Sequence, residues 1–161
     1  MQPQTFQRGT MLRTRLDEAL KSGLLAQEEC VVRTVRLVLA TLKDRDIAER
    51  SSGNYSGLKD DQILSLLQSM IKQRRESIQL YERGGRADLA RQEAEEIAII
   101  ERFLPPQMGE EEIGKVVSAA LEELEAKTLK DMGRVMGILK TRHAGQMDFA
   151  AASALVKERL G

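Results

Sequence analysis

Tryptophan is absent from this chain of 161 residues, and it holds two tyrosines, three phenylalanines, three prolines, one cysteine and one histidine. Each scarcity excludes something. A single cysteine, Cys30, cannot close an intramolecular disulfide. With His143 as the one histidine and no CxxC pair, the chain lacks the nitrogen and sulfur ligands of a zinc site, so neither a metal nor a cofactor is expected. Aromatics at 3% leave few platforms on which single-stranded bases could stack. No segment approaches the roughly 18 uninterrupted apolar residues of a membrane span. Met1 to Thr10 is short and polar without an apolar core, which predicts no secretory leader and a flexible extension over residues 1–10. The expectation is a cytoplasmic protein with no membrane partner. Net charge is zero, with 25 basic against 25 acidic residues, which excludes binding nucleic acid with the whole surface.

What the chain has in quantity is Leu, Ala, Glu, Arg and Lys, the residues that favour helices over strands. The fold class is therefore all-α. Leu104-Pro105-Pro106 ends one helix abruptly, because proline disfavours helix at the preceding residue and cannot continue the hydrogen-bond ladder. That is the predicted boundary between a four-helix N-terminal domain, 11–104, and a smaller three-helix C-terminal domain, 105–161. The first holds helices over Met11 to Lys21, Ala26 to Glu49, Asp61 to Arg83 and Ala87 to Leu104, separated by Ser22-Gly23, Ser51 to Gly57 and Gly84-Gly85. The second holds Glu110 to Ala126, Lys130 to His143 and Phe149 to Leu160, with Gly109, Thr128 and Asp148 as caps or near-caps.

Two helices carry charge on their apolar faces. The stripe Ile63, Leu66, Leu67, Met70, Ile71, Ile78 and Tyr81 encloses Arg74 and Ser77, and the stripe Leu89, Ile97, Ile100, Phe103 and Leu104 encloses Glu93 and Glu96. A hairpin through Gly84-Gly85 folds these helices antiparallel and brings the carboxylates toward the arginine. Since an unpaired buried charge costs several kcal/mol, the expected solution is a buried structural network of Arg74 with Glu93 and Glu96. A di-metal carboxylate site would need Glu-x-x-His, and the one histidine lies in the other domain.

The segment Lys130 to Gly145 breaks helix-building rules in a patterned way. Met132, Val135, Met136 and Leu139 recur at i, i+3, i+4 and i+7, yet Gly133 and Gly137 sit among them at about 1 kcal/mol each relative to Ala. At roughly 100° per residue the glycines fall together beside the apolar stripe, Gly133 nearer to it and expected to be buried, Gly137 expected to be exposed. Lys130, Arg134, Lys140, Thr141 and Arg142 surround them. Bare backbone edged with positive charge suits a phosphodiester chain. It equally suits a helix packed on the small residues. Charge distribution sharpens the pattern, since Glu110 to Glu125 is acidic and Lys127 to His143 basic; mutual neutralisation of the two helices explains this as well as a binding site does.

Taken together, Arg36 to Asp44 (RLVLATLKD), Met70 to Ile78 (MIKQRRESI), Glu93 to Ile97 (EAEEI), Phe103 to Gln107 (FLPPQ) and Lys130 to Gly137 (KDMGRVMG) resemble the YqeY-like (GatB/YqeY domain) family, over about Met11 to Leu160. The resemblance implies an all-helical protein with a small three-helix C-terminal domain. It is similar to the tail of the B subunit of the tRNA-dependent amidotransferase, which converts Glu-tRNA to Gln-tRNA with glutamine as amide donor and whose tail binds tRNA. By that similarity such proteins are often labelled carbon–nitrogen ligases with glutamine as amido-N-donor. The chain departs from the pattern in a longer Lys21 to Val35 link and in Gly109 where a Ser or Thr cap is common.

No catalytic residues are assigned. The sequence has neither a P-loop lysine motif nor a serine with a histidine at a workable spacing, and Cys30 falls mid-helix as a small hydrophobe. The expected function is a noncatalytic module binding tRNA or structured RNA through Lys130, Gly133, Arg134, Gly137, Lys140, Thr141 and Arg142. Amidotransferase or other tRNA-metabolism proteins are the expected protein partners. The alternative is a protein–protein adaptor docking a partner helix on the Gly133/Gly137 face.

Overall fold

The computed structural model describes residues 11–161. The extension expected over residues 1–10 lies outside the described residues. Among the described residues the chain is all-helical: α1 (Met11–Leu25), α2 (Glu29–Arg50), α3 (Asp60–Arg83), α4 (Ala87–Glu101), α5 (Glu110–Glu123), a 3-10 turn (Leu129–Asp131), α6 (Met132–Arg142) and α7 (Phe149–Leu160). The chain divides into two compact units between Leu104 and Pro105.

In the first unit Leu12 and Leu16 of α1, Val35 and Val38 of α2, Ile63 and Leu67 of α3, and Ile97 and Ile100 of α4 form the core. Helix α1 runs through the Ser22-Gly23 separator to Leu25, so the link to α2 is only residues 26–28. Gly23 is inside the helix and buried because a Cβ there would stand 3.2 Å from both Val31 and Val32; its bare backbone lets α2 approach closely. The turn instead falls at Gln27, whose φ of 56° is left-handed. Helix α4 stops three residues short of Leu104. There Arg102, Phe103 and Leu104 donate to Ile99, Ile100 and Glu101, tightening the chain ahead of Pro105. Arg15 of α1 closes that end. It donates to the Arg102 carbonyl at 2.8 Å and lies 5.5 Å from the Phe103 ring centroid.

The link between α2 and α3 is held by charge. Arg13 donates to both Asp46 carboxylate oxygens at 2.8 and 2.9 Å and to the Leu58 carbonyl at 3.0 Å, while Leu58 N–H donates to Asp46 at 2.8 Å. The hydrogen bond from Arg13 holds the Asp46 carboxyl below its usual range.

Helices α3 and α4 form the antiparallel hairpin. Arg74 is buried between them, its Nε donating to Glu96 at 3.0 Å and its Nη1 to the Met70 carbonyl at 3.2 Å. Glu93 lies further off, at 3.9 Å. On its other side Glu96 faces Arg33 of α2 at 3.5 Å. Ser77 donates to the Gln73 carbonyl within its own helix and takes no part.

In the second unit Ile113 and Val117 of α5, Val135 and Leu139 of α6, Met147, and Ala152 and Val156 of α7 pack together. The segment after the prolines is pinned to the loop beyond α6, where Gln107 donates to the Gly145 carbonyl at 2.6 Å and Met108 N–H to that of Gln146 at 2.7 Å. Asp148 caps α7 by accepting from the N–H groups of Ala150 and Ala151.

The two glutamates near Arg74 differ in sign of effect. Burial and the charge of Glu96 push the Glu93 carboxyl above its usual range, and Arg74 only partly offsets this. A carboxyl with a raised folded pKa favours the fold below the usual carboxylate range and loses that contribution as pH rises through the raised value. At neutral pH, Glu93→Gln is therefore expected to raise the urea midpoint. Arg74→Ala, which leaves the buried Glu96 only its longer contact with Arg33, should lower stability by about 3–5 kcal/mol. A fall for Glu93→Gln as large as for Arg74→Ala would show that Glu93 is the main partner.

Candidate nucleic-acid interface

The α6 surface is built from its N-terminus. Lys130, expected inside the helix, lies in the 3-10 turn. Asp131 accepts from the N–H groups of Lys127 (3.0 Å) and Thr128 (3.2 Å), which fixes a tight turn and lets α6 begin only at Met132. Those bonds and one from Arg134 Nη2 at 2.8 Å push the Asp131 carboxyl down to about 2. On the preceding side α5 ends at Glu123 rather than Ala126, because Glu125 takes a left-handed φ of 51° and Ala126 N–H turns back to the Leu121 carbonyl.

Rotation of α6 decides what faces outward. Val135 and Leu139 are buried while Met132 and Met136 are half-buried, so the buried stripe centres on the former pair. This turns both glycines out. The expectation that Gly133 is buried is thereby corrected: Gly133 and Gly137 are exposed, and a Cβ at either would meet nothing within 4 Å. No described helix packs on the strip.

The four cations are not equivalent. Arg142 forms a bidentate pair with Glu123 of α5 at 2.5 and 2.7 Å, which raises the guanidinium pKa and lowers that of Glu123. Arg134 is paired with Asp131. Lys130 and Lys140 are exposed and form no ion pair among the described residues. Thr141 donates to the Gly137 carbonyl at 2.9 Å, within the helix. Arg134, Gly137, Thr141 and Arg142 join Leu124 and Ile138 around an open hollow of about 460 Å³; Lys130, Gly133 and Lys140 are not in its lining. Leu124 and Ile138 were not anticipated. Their place follows from the early end of α5 and the rotation of α6, and neither leaves a pattern in the sequence. Arg74, Glu93 and Glu96 belong to the first unit and take no part in this surface.

Among the described residues no group of three or more His, Cys, Asp or Glu is placed to hold a metal ion, and no helix is long and apolar enough to cross a membrane.

These features define an all-helical protein of two units whose second unit presents a glycine-bearing basic helix face. The model of the Yqey-like protein family matches residues 13–160, and the chain belongs to that family. Among its relatives are proteins named Altered inheritance of mitochondria protein 41, mitochondrial. That of Eremothecium gossypii is 31% identical over 69% of this chain and 60% of its own length. That of Pyrenophora tritici-repentis is 28% identical over 91% and 80%, and that of Vanderwaltozyma polyspora 29% over 70% and 60%. The chain thus spans about three fifths of the first and third of these relatives. The expected cytoplasmic location does not stand, because these relatives are all named as mitochondrial proteins. A polar N-terminal stretch and the lack of a long apolar run do not distinguish one aqueous compartment from another.

Two outcomes follow from this geometry. Because a methyl at either glycine enters open space, Gly133→Ala and Gly137→Ala should each raise the melting temperature, by the equivalent of about 0.5–1 kcal/mol from helix propensity and a less flexible unfolded chain. A fall would mean that something packs on the strip. The Asp131 carboxyl carbon should titrate near pH 2 by NMR, its contribution to stability present above the usual Asp range and lost as pH falls through about 2. Titration near pH 4 would mean that the turn is not formed.

Proposed function

We propose that this protein is a noncatalytic helical module that binds tRNA or another structured RNA through the exposed face of α6. The observation that supports it is the pair of ammonium groups, Lys130 and Lys140, with no ion-pair partner among the described residues, on either side of a backbone strip that no described residue covers. Phosphates bind through charge and close backbone approach and need no aromatic platform. Arg134 and Arg142 serve as secondary contacts, since a phosphate must share each guanidinium with the carboxylate already on it. Zero net charge suits a local contact, since the whole surface offers no general attraction. The resemblance to the tRNA-binding tail of an amidotransferase subunit favours tRNA and a partner in tRNA metabolism.

One observation favours a second reading. Leu124 and Ile138 in the hollow give it an apolar floor beside Gly137, which suits a docked helix better than a phosphate chain.

Titration with total tRNA at several salt concentrations tests the first reading. The affinity should fall steeply with salt, and in Lys130→Ala/Lys140→Ala the slope of log K against log salt should be shallower by about two. An unchanged slope would remove α6 from the RNA contact. Failure of the unaltered protein to bind tRNA would leave the helix-docking reading.

A further inference from the structure

The first unit carries a surface that the RNA reading does not use. Between the end of α1 and the first turns of α2 lies an open hollow of about 650 Å³, floored by Leu24 and Val32 and walled by Arg33 and Arg36. Three large apolar side chains stand exposed, one in its lining and two next to lining residues in the chain. Leu24 is 49% and Leu25 88% exposed at the end of α1, and Leu37 is 46% exposed one residue beyond Arg36 on α2. Arg33, Arg36, Leu37 and Ala40 recur at i, i+3, i+4 and i+7, so they share one outward face of α2, and all four are exposed. Soluble surfaces scatter such residues singly; a cluster at a concave site marks a contact.

The charge on the walls states what would fit. Glu29 is the one acid of the lining, against two arginines. Arg36 has no carboxylate, hydrogen-bond or ring partner among the described residues. Arg33 is steadied from behind, its Nε 3.5 Å from Glu96 of the buried Arg74 network, yet half of its side chain stays exposed. One guanidinium is thus held in place and the other is unpaired, above an apolar floor. Phosphate would find the cations but waste the leucines.

The geometry points to a docking groove for an acidic amphipathic helix from a partner protein, its apolar stripe seated on Leu24, Val32 and Leu37 and its carboxylates meeting Arg33 and Arg36. Such a helix offers anchors at i, i+3, i+4 and i+7, the spacing that the α2 face presents, and the arginines select against a basic helix of the same shape.

The probe is a labelled amphipathic peptide of about 18 residues, long enough to hold a helix, with a leucine stripe flanked by glutamates; its control carries lysine at every glutamate position. Fluorescence anisotropy with the full chain should show binding of the acidic peptide at least about tenfold tighter than the basic one. Arg36→Glu and Leu24→Ser should each weaken it by about tenfold or more. Both positions are exposed, so melting temperatures should not change, and Lys130→Ala/Lys140→Ala should bind the peptide as the unaltered protein does. Equal affinity for the two peptides, or no effect of Arg36→Glu and Leu24→Ser, would overturn the proposal. So would an acidic peptide that fails to bind, or an Arg36→Glu protein that loses tRNA affinity while peptide binding is unchanged, which would assign the arginines to phosphate.

Discussion

A cation buried in an apolar seam is the constraint on which the first unit depends. Arg74 has left water, and its cost is offset only where a carboxylate meets it in good geometry. Glu96 does so at 3.0 Å, and this single pairing fixes how α3 lies against α4. The apolar residues around it are less selective, since Leu, Ile and Met tolerate exchange of neighbours of similar volume. Were α4 to slip by four residues, Ile100 and Ile97, or Gln92 and Leu89, would take the places of Glu96 and Glu93. Either slip would leave the guanidinium without a carboxylate. The second oxygen of Glu96 then turns toward Arg33, so the same buried charge that sets the hairpin also orients a side chain on the surface of α2. A structural pair is in this way continuous with a candidate contact site.

That pairing was legible in the sequence, because a 3.6-residue period turns a charge within an apolar stripe into a statement about burial, and burial of one sign requires the other nearby. Helix ends were less legible, and for identifiable reasons. Gly23 reads as a breaker; its actual use is the absence of a Cβ where Val31 and Val32 approach, which depends on a helix the local sequence does not contain. The end of α5 depends on Glu125 taking a left-handed conformation that its residue type gives no reason to expect. Asp131 looked like a residue inside a helix, whereas it accepts from the N–H groups before it and delays α6 to Met132.

The candidate interface was legible to a similar depth. Two glycines in an amphipathic helix mark their segment through their cost alone. Which way they face depends on whether Val135 and Leu139 or Met132 and Met136 centre the buried stripe, and stripe membership does not decide that. The cations divided for a similar reason. Arg134 has an acid three residues before it, a local pairing that sequence spacing permits. Arg142 is tied to Glu123 across two helices, a contact that only the packing of α5 on α6 supplies. The excess of acid in α5 and of base in α6 is thus partly consumed within the unit, as mutual neutralisation would have it, and partly left over.

What is left over carries the functional argument. After Arg134 and Arg142 are assigned to Asp131 and Glu123, the remaining charge on this face is ammonium, at Lys130 and Lys140, with bare backbone between. An exposed helical glycine costs close to 1 kcal/mol relative to Ala. Inside a protein that cost is usually offset by the close contact a missing Cβ permits, as the valines do for Gly23. No described residue makes such a contact at Gly133 or Gly137. The physical case for the proposed α6 surface is that its glycines have no packing use among the described residues, and the unpaired lysines beside them suit the anionic partner proposed for it.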